Sequence, residues 1–410
     1  MYVCISDHRG LSFAVLFMTN INDTQVNKQL ELLITSEHTH YSVVIQTAQD
    51  GRNVKQQRLY STNRVIRTTI PSTFEHAPLA DEQHNLAYPT GILISSDKPV
   101  SVVGMSDYNC CSGDAFNAIP THSLGRGYIL ASYPNGTRSY GVVAAEDNTI
   151  IKSTLLSKAY TRIKINSMES KIVNTGDDIT GSIIESDKPV GVFSGNEETF
   201  INDKSGFFQT EMLIPVDKFA MQYIVPKVAK GKFIILRIVP AEDGHTTVYI
   251  TGKNGFYKNT YEKYVNTLQL HNDGYFINAQ RPVMVTLYSS YESPNLHPFM
   301  TLVPAVKQFS NNYVITTPTM NRYDNYATVI IDARDREDGL RVNGAHLLFH
   351  AVDDTPIKMF NDVYRSISVR LDFNDTVYEI AHINKNVKFG LIVYGYKDGS
   401  AYGYPGGFIL

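Results

Sequence analysis

Short apolar segments, separated by turn residues, run along the whole chain. Three of them contain a lysine or arginine followed by Pro-Val, and a fourth copy is degenerate. Their sequences are GILISSDKPVSVVGMS (91–106), GSIIESDKPVGVFSGN (181–196), GYFINAQRPVMVTLYS (274–289) and YEIAHINKNVKFGLIVYG (378–395). The prolines Pro99, Pro189 and Pro282 recur at intervals of about 90 residues, which predicts a tandem repeat.

Two further markers follow each of the first three copies in the same order. The first is a proline followed by an aromatic strand, in AIPTHSLGRGYILASYP (118–134), LIPVDKFAMQYIVP (213–226) and LVPAVKQFSNNYVITTP (302–318). The second is a strand, an acidic turn and a strand, in YGVVAAEDNTIIKS (140–153), FIILRIVPAEDGHTTVYIT (233–251) and YATVIIDARDREDGLRV (326–342). Because Asn and Gly tolerate positive φ, we interpret the acidic pairs as hairpin turns and not as acid–base catalysts.

The segments after each Pro are short, apolar and β-branched, and they predict buried strands. The Asp-Lys-Pro before them predicts a turn, because proline fixes φ and has no N–H. No long segment keeps a helical period between caps, so very little helix is expected. We therefore predict an all-β fold, a tandem repeat of four antiparallel, β-sandwich-like units of about seven strands each. The predicted units are 1–134, 138–229, 231–320 and 324–410, and a propeller-like closed array is the alternative.

The charge balance and the apolar runs exclude two classes of partner. The 410 residues carry 37 Lys and Arg against 40 Asp and Glu, which leaves no basic surplus for binding nucleic acid. The longest apolar runs, FAVLFM (13–18) and FIILRIV (233–239), are too short to cross a bilayer, so no membrane insertion is expected. The first residues do not resemble a signal peptide, and the chain is expected to be either cytosolic or a fragment lacking its true N-terminus.

The chemistry of a cofactor, metal or catalytic site is not visible in the motifs. The chain has no nucleotide-binding loop, no nucleophile elbow and no zinc-protease motif, so no cofactor is predicted. Its three cysteines are Cys4 and the adjacent pair Cys110 and Cys111. They do not supply the spaced ligands of a structural zinc site, and no protease signature surrounds them. A disulfide between Cys4 and one of the pair is the simplest interpretation; a vicinal disulfide and free thiols remain open.

Three sequons and two loops are candidate surface features. The sequon asparagines are Asn22, Asn135 and Asn374, all in predicted turns. The loops YNCCSGDAF (108–116) and NRYDNYATV (321–329) combine Tyr with Asn, Ser and Gly, a composition that suits adaptable contact surfaces. The predicted binding residues in these loops are Tyr108, Asn109, Asp114, Arg322, Tyr323 and Tyr326. Ordinary turns are the alternative interpretation.

Several long segments together resemble one protein family. They are SSDKPVSVVGMSDYNCCSGDAFNAIPTHSLGRGYILASYP (95–134), ESDKPVGVFSGNE (185–197) and the closing FGLIVYGYKDGSAYGYPGGFIL (389–410). Their order resembles the N-terminal domain of the IgG Fc-binding protein family. The resemblance implies a secreted, non-enzymatic binding domain of mucus-associated or adhesive glycoproteins. It implies extracellular partners, mucin-like or immunoglobulin-like, and cysteines held in disulfides.

Three functional hypotheses follow. The first is an extracellular recognition or adhesion domain of a secreted or cell-surface glycoprotein. The second is a structural spacer in a disulfide-linked secreted polymer, which predicts covalent oligomers. The third is a carbohydrate-active enzyme, which needs two carboxylates across a pocket. Glu197 and Glu198, which follow the strand KPVGVFSGN, are its candidate acids.

Overall fold

Antiparallel β-strands form nearly all the regular secondary structure of the computed structural model, and the residues it describes contain no α-helix. The predicted all-β fold is confirmed. The described residues are 8–20, 28–49, 53–75, 86–108, 112–156, 160–201, 204–242, 246–253, 255–261, 267–290, 297–318, 323–335, 337–359, 362–371 and 377–410. Their short 3-10 helices are Ser72–Phe74, Thr121–Ser123, Val216–Lys218, Val306–Gln308, Ala333–Asp335, Glu337–Gly339 and Leu347–His350.

Unit 1 is a seven-stranded sheet. Its strands are β1 (Gly10–Val15), β2 (Lys28–Thr35), β3 (Tyr41–Gln49), β4 (Asn53–Ser61), β5 (Val65–Ile70), β6 (Ile92–Tyr108) and β7 (Ser112–Asn117). They are hydrogen-bonded in the order β4-β3-β6-β2-β5, and β1 and β7 also pair with β6.

Units 2 and 3 repeat this topology strand for strand. Unit 2 contains β8 (Gly125–Ile129), β9 (Thr137–Ala144), β10 (Thr149–Thr154), β11 (Tyr160–Ile165), β12 (Ser170–Thr175), β13 (Ile183–Ile201) and β14 (Lys204–Met212). Unit 3 contains β15 (Ala220–Val225), β16 (Phe233–Pro240), β17 (Thr246–Gly252), β18 (Gly255–Tyr261), β19 (Thr267–His271), β20 (Tyr275–Ser290) and β21 (Met300–Leu302). Their orders are β11-β10-β13-β9-β12 and β18-β17-β20-β16-β19, with the first and last strands again on the long one.

Unit 4 keeps the same pairings but divides them between two sheets. Its strands are β22 (Asn312–Ile315), β23 (Asp324–Asp332), β24 (Leu340–Val342), β25 (Ala345–His346), β26 (Ala351–Met359), β27 (Asp362–Leu371), β28 (Tyr378–His382), β29 (Gly390–Lys397) and β30 (Ser400–Pro405). The sheet orders are β22-β28-β24-β25 and β26-β27-β23-β29-β30. Together β28 and β29 correspond to the single long strand of units 1 to 3, which is interrupted here where the degenerate copy lacks Lys-Pro. The strand β26 has no counterpart in those units.

One long strand organises each of units 1 to 3. The first half of β6 pairs with β1 and β3, and its second half pairs with β2 and β7. Pro99 lies where β6 changes partners, so its missing N–H breaks no ladder bond. The predicted turn at Asp-Lys-Pro is therefore wrong, because the chain continues as a strand. The aspartate binds a neighbouring strand instead: Asp97 accepts a hydrogen bond from the Ser42 N–H at 2.8 Å, and Asp187 accepts one from the Ile150 N–H at 2.8 Å.

The sheets curl as half-barrels, and no closed propeller of blades is shown by the described residues. The last strands β7, β14, β21 and β30 nevertheless contact one another in a ring. The hydrogen bonding also starts each unit one strand earlier than the predicted borders, since β8 pairs with β13 of unit 2. The division into four domains at those borders remains a prediction.

A buried tyrosine repeats at the first strand of units 2, 3 and 4. The Tyr128 hydroxyl donates to the Val190 carbonyl at 2.7 Å and accepts from the Gly125 N–H at 2.8 Å. Tyr223 makes the same two bonds in unit 3, and Tyr313 makes them in unit 4. Each hydroxyl ties the start of its unit to the long strand or its equivalent, which explains the aromatic marker in the sequence.

Hydrophobic cores cross the borders between units. The largest joins units 1 and 2, where the rings of Phe116 and Phe193 meet edge to face with centroids 4.9 Å apart. A second cluster joins Tyr223 of unit 3 to Tyr394 of unit 4. A third joins Val103 of unit 1 to the core of unit 4. The units therefore pack against each other and are not separate beads.

We expect Tyr128→Phe to lower the free energy of unfolding by about 1–3 kcal/mol, because the Gly125 N–H and the Val190 carbonyl each lose a partner. Urea unfolding of the whole chain measures this change. Tyr160→Phe is the matched control, since Tyr160 is exposed, and it should alter stability by less than about 0.5 kcal/mol. Equal effects of the two substitutions would contradict the role of the buried hydroxyl.

Candidate binding surface

Four of the six predicted binding residues are buried. Tyr108, Asp114, Tyr323 and Tyr326 are each no more than 4% exposed. They cannot form the exposed contact loops that the sequence predicted, so this part of the prediction is wrong. The other two, Asn109 and Arg322, lie outside the described residues. Tyr326 packs in the cluster that joins units 3 and 4, and Tyr108 and Tyr323 are buried at the contact between units 1 and 4.

An ion pair forms the centre of that contact. The Lys397 ammonium of unit 4 lies 2.9 and 3.0 Å from the two carboxylate oxygens of Asp107 in unit 1, and both side chains are nearly fully buried. The same ammonium lies 4.9 Å from the centre of the Tyr323 ring. The Tyr323 hydroxyl is 3.0 Å from Ser400 Oγ. The Tyr323 ring and the Tyr108 carbonyl, which is 3.4 Å from the ammonium, therefore lie beside a buried charge pair, which needs such partners to be stable.

Asp114 is hydrogen-bonded to all four units. Its Oδ1 accepts from the N–H of Ala115 at 2.9 Å and of Gly403 at 3.0 Å. Its Oδ2 accepts from the N–H of Met300 at 3.0 Å and of Thr210 at 3.2 Å. Burial raises the pKa of the Asp114 carboxyl well above its ordinary value, and the four N–H groups oppose that rise. Asp114 is a structural group at the centre of the molecule.

Glu211 joins three units at the same junction. Its carboxylate accepts from the N–H of Met212 in unit 2 at 3.1 Å, of Leu302 in unit 3 at 3.3 Å and of Asn117 in unit 1 at 3.4 Å. Burial raises the pKa of Glu211 well above its usual range, and the nearby Asp114 raises it further. The last strands β7, β14, β21 and β30 contact one another in that cyclic order around these acids.

Most predicted modification sites lie outside the described residues. These are Cys4, Cys110, Cys111, Asn22 and Asn374, so the disulfide pairing and two sequons remain predictions. Asn135 is described: it is exposed in the bend between β8 and β9, and its carbonyl accepts from the Asn196 amide at 3.1 Å. Its side chain is open to solvent, as a glycan acceptor requires.

The outer edge strands expose aromatic side chains. The strands β4, β11 and β18 are equivalent, and each pairs with only one neighbour in its sheet. Tyr60 on β4 is 72% exposed, Tyr160 on β11 is 59% exposed and Phe256 on β18 is 54% exposed. Phe349, which follows the corresponding β25, is 83% exposed. We call these four residues the rim aromatics.

The rim aromatics suit a protein contact, because aromatic residues dominate the energetics of protein interfaces. The rim aromatics were not among the binding residues predicted from the sequence. A signal existed in NVKQQRLYS (53–61), where the four consecutive polar residues of KQQR (55–58) predict a strand exposed on both faces. A tyrosine in such a strand has no core to enter.

Three surface clefts lined by described residues are further candidate binding sites. The first lies in unit 1 and has a volume of about 640 Å³. The second lies between units 1 and 4 with about 520 Å³, and the third between units 3 and 4 with about 500 Å³. Neither Glu197 nor Glu198 lines any of them. Glu197 instead accepts a hydrogen bond from the Asn174 amide at 2.9 Å, and burial, followed by the charge of Glu198, raises its pKa.

The described part of the chain has neither a cluster of metal ligands nor a membrane-spanning helix. No group of three or more His, Cys, Asp or Glu side chains there could hold a metal ion. No helix there is long and apolar enough to span a bilayer.

The comparisons with known proteins give one family. The family model described as IgG Fc binding protein matches residues 114–395, which is more than half of the 410 residues. A search of curated proteins finds no match.

Two solved structures are similar only weakly. The FN1–FN3 domains of chicken CNTN1 match at 9% identity over 66% of this chain and 95% of theirs, with a TM-score of 0.12. A tetra-tandem repeat from the extending region of a large adhesion protein matches at 10% identity over 97% of this chain and 98% of its own, with a TM-score of 0.11. At these TM-scores neither structure carries an argument.

We expect Asp114→Asn to lower the free energy of unfolding by about 3 kcal/mol or more, because an amide NH₂ cannot accept from the two N–H groups it would face. Chemical unfolding of the whole chain gives the value. Asp217→Asn, at a side chain that is 69% exposed, is the control and should be close to neutral. A small change at Asp114 would show that the four bonds do not hold the units together.

Glu31 gives a prediction for pH. Burial on β2 raises its pKa from 4.5 to about 7, although Arg67 opposes the rise. Between these values the folded chain binds more protons than the unfolded chain, so this group makes stability fall as pH rises. The unfolding free energy of the native protein relative to Glu31→Gln should be about 2–3 kcal/mol lower at pH 8 than at pH 5. The exposed control Glu242→Gln should show no such difference, and a flat Glu31 profile would refute the prediction.

Proposed function

Because the chain belongs to the IgG Fc binding protein family, we propose that it is an extracellular recognition domain that binds proteins or glycoproteins and performs no catalysis. The observation that carries the proposal is the family match over residues 114–395. The family consists of binding domains, and its type is extracellular and associated with mucin-like proteins. The exposed sequon at Asn135 is compatible with that location.

We propose that the partners are mucin-like or immunoglobulin-like proteins and that they bind at the outer rim. Contacts between units bury the described tyrosines of the two predicted loops, whereas the rim aromatics are each more than half exposed. Each unit contributes at least one of them. Weak contacts repeated on one polypeptide reinforce each other when the partner can reach several at once, as a large glycoprotein can.

The enzyme hypothesis has less support. A glycosidase needs two carboxylates that face each other across a pocket. Glu197 and Glu198 are consecutive residues of β13, and Glu197 is already bound to Asn174 within its own unit. The described clefts contain neither residue. We therefore propose recognition by an extracellular chain, with a disulfide between Cys4 and either Cys110 or Cys111.

The proposal predicts saturable binding of the whole chain, secreted from eukaryotic cells, to immobilised IgG Fc or to purified mucin. Changing Tyr60, Tyr160 and Phe256 to Ser together should weaken binding by about 10-fold or more, because exposed aromatic anchors carry much of an interface's energy. Surface plasmon resonance measures the affinities. Met221→Ser is the control, since Met221 is an exposed apolar residue away from the rim, and it should bind as the native chain does.

Two outcomes would contradict this proposal. Unchanged affinity of the triple variant would remove the rim from the binding surface. Absence of binding to either protein, combined with covalent oligomers on non-reducing gels, would favour the structural spacer.

A further inference from the structure

The cleft of unit 1 is an opening between its two outer edges. One wall is the β3–β4 hairpin, which contributes Thr47, Lys55 and Gln57. The other wall is formed by β5 and the 3-10 helix after it, which contribute Thr68, Thr69 and Thr73. At about 640 Å³ the cleft falls within the range of small-ligand sites.

The strand register places Thr47, Lys55, Gln57 and Thr68 on the inner face of the curled sheet, whereas Thr69, the residue after Thr68 on β5, points to the other face. Thr47 lies opposite Lys55, and Ile45 lies opposite Gln57, so the four share one face of the hairpin. On the other wall, Thr68 pairs with Leu32, a residue of the core. The lining is therefore the mouth of the half-barrel, with polar side chains above an apolar floor.

The same opening is filled in unit 2. The prolines of the repeat align the long strands of the units. Five residues before the proline, β6 pairs with Ile45 in unit 1 and β13 pairs with Ser153 in unit 2, so Ile45 and Ser153 occupy equivalent positions. By the same alignment Leu32 corresponds to Tyr140. Tyr140 is buried, and the buried Lys171 ammonium of β12 donates to Thr161 Oγ1 of β11 at 3.1 Å. In unit 2 the chain's own side chains bridge the two walls.

Unit 3 has larger, less polar side chains at the equivalent positions. Tyr257 stands at the position of Gln57, opposite Ile250 on the neighbouring strand. Leu268 stands at the position of Thr68 and packs against the core of its unit. Because units 1, 2 and 3 share the same strand order, the opening in unit 1 results from its side chains and not from its backbone.

The lining has a definite chemical character. It offers the hydroxyls of Thr47, Thr68 and Thr73, one amide and one ammonium, and no carboxylate is among the described residues that line it. The apolar floor includes Ile45, Ile70 and Phe74. Sugars combine many hydroxyls with C–H faces that rest on apolar side chains. The Lys55 ammonium, with no carboxylate among the described lining residues, favours an anion.

We propose that the unit 1 cleft binds a short oligosaccharide that carries one acidic group, with that group facing Lys55. The hydroxyls and the Gln57 amide donate to and accept from the sugar hydroxyls, and the floor packs against its C–H face. This site goes beyond the proposed function, because a domain that binds proteins through its rim needs no sugar cleft. The anion can be a carboxylate or a sulfate, which share the same charge chemistry.

Calorimetric titration of the whole chain with sialyllactose, sulfated lactose and neutral lactose tests the site. Saturable binding of an acidic sugar is expected, with lactose weaker by about 10-fold or more, and the first two sugars distinguish carboxylate from sulfate. Gln57→Tyr, which installs the residue of unit 3, should weaken all sugar binding by about 10-fold or more. Lys55→Gln should reduce the acidic sugar to the affinity of lactose and leave lactose unchanged.

The neighbouring Arg58→Tyr is the matched control. Arg58 lies on the same strand but points to the opposite face, so this variant should bind within about twofold of the native chain. Thr68→Leu introduces the side chain that Leu268 has in unit 3 and should close the cleft from the other wall. This variant is the alternative test if Gln57→Tyr does not fold.

Lack of saturable sugar binding by the native chain would overturn the proposal. Native affinity in a folded Gln57→Tyr or Thr68→Leu variant would also overturn it, because the sugar would then bind elsewhere. Binding of an extended peptide library, but no sugar, with loss in Gln57→Tyr, would make the cleft a peptide site. None of these outcomes changes binding of the rim to Fc or mucin, so this proposal and the proposed function fail separately.

Discussion

One buried carboxylate gives four sheet edges a common partner. The last strand of each unit pairs, within its own sheet, only with the long strand or its counterpart, so its other edge carries backbone N–H groups that need an acceptor once they are buried. Asp114 accepts from four N–H groups, one from each unit, and Glu211 adds three more from units 1, 2 and 3. An ionised carboxylate has room for about four such bonds. The edges can therefore meet in the dry centre of the molecule.

This central junction determines which surfaces remain for recognition. Because unit 1 meets unit 4, Tyr108 and Tyr323 of the two predicted loops are buried beside the Lys397–Asp107 pair. The outer hairpins point away from the junction and keep their aromatic rings in solvent. The repeat then allows one unit to differ: units 2 and 3 have Tyr140 and Tyr257 in the part of the half-barrel where unit 1 has a polar cleft.

The sequence predicted the repeated architecture because its markers are local. The recurring prolines, the aromatic strands and the acidic turn at Asn148, which has a φ of 57°, each report on a few neighbouring residues. The site predictions failed at Asp114 because its partners Thr210, Met300 and Gly403 lie 96, 186 and 289 residues away. A polar stretch such as SGDAF is typical of a loop until other units cover it. The half-barrel curl and the open cleft likewise depend on side chains that meet only after folding.

Native-state hydrogen exchange at the amides of Ala115, Thr210, Met300 and Gly403 tests most directly whether one carboxylate joins the four units. If the junction opens only when the whole molecule unfolds, all four amides should exchange in the slowest class and with the same opening free energy. Addition of low urea should then accelerate them in parallel. Faster and independent exchange at any one of the four would show that its unit separates from the junction, and would contradict a single cooperative body.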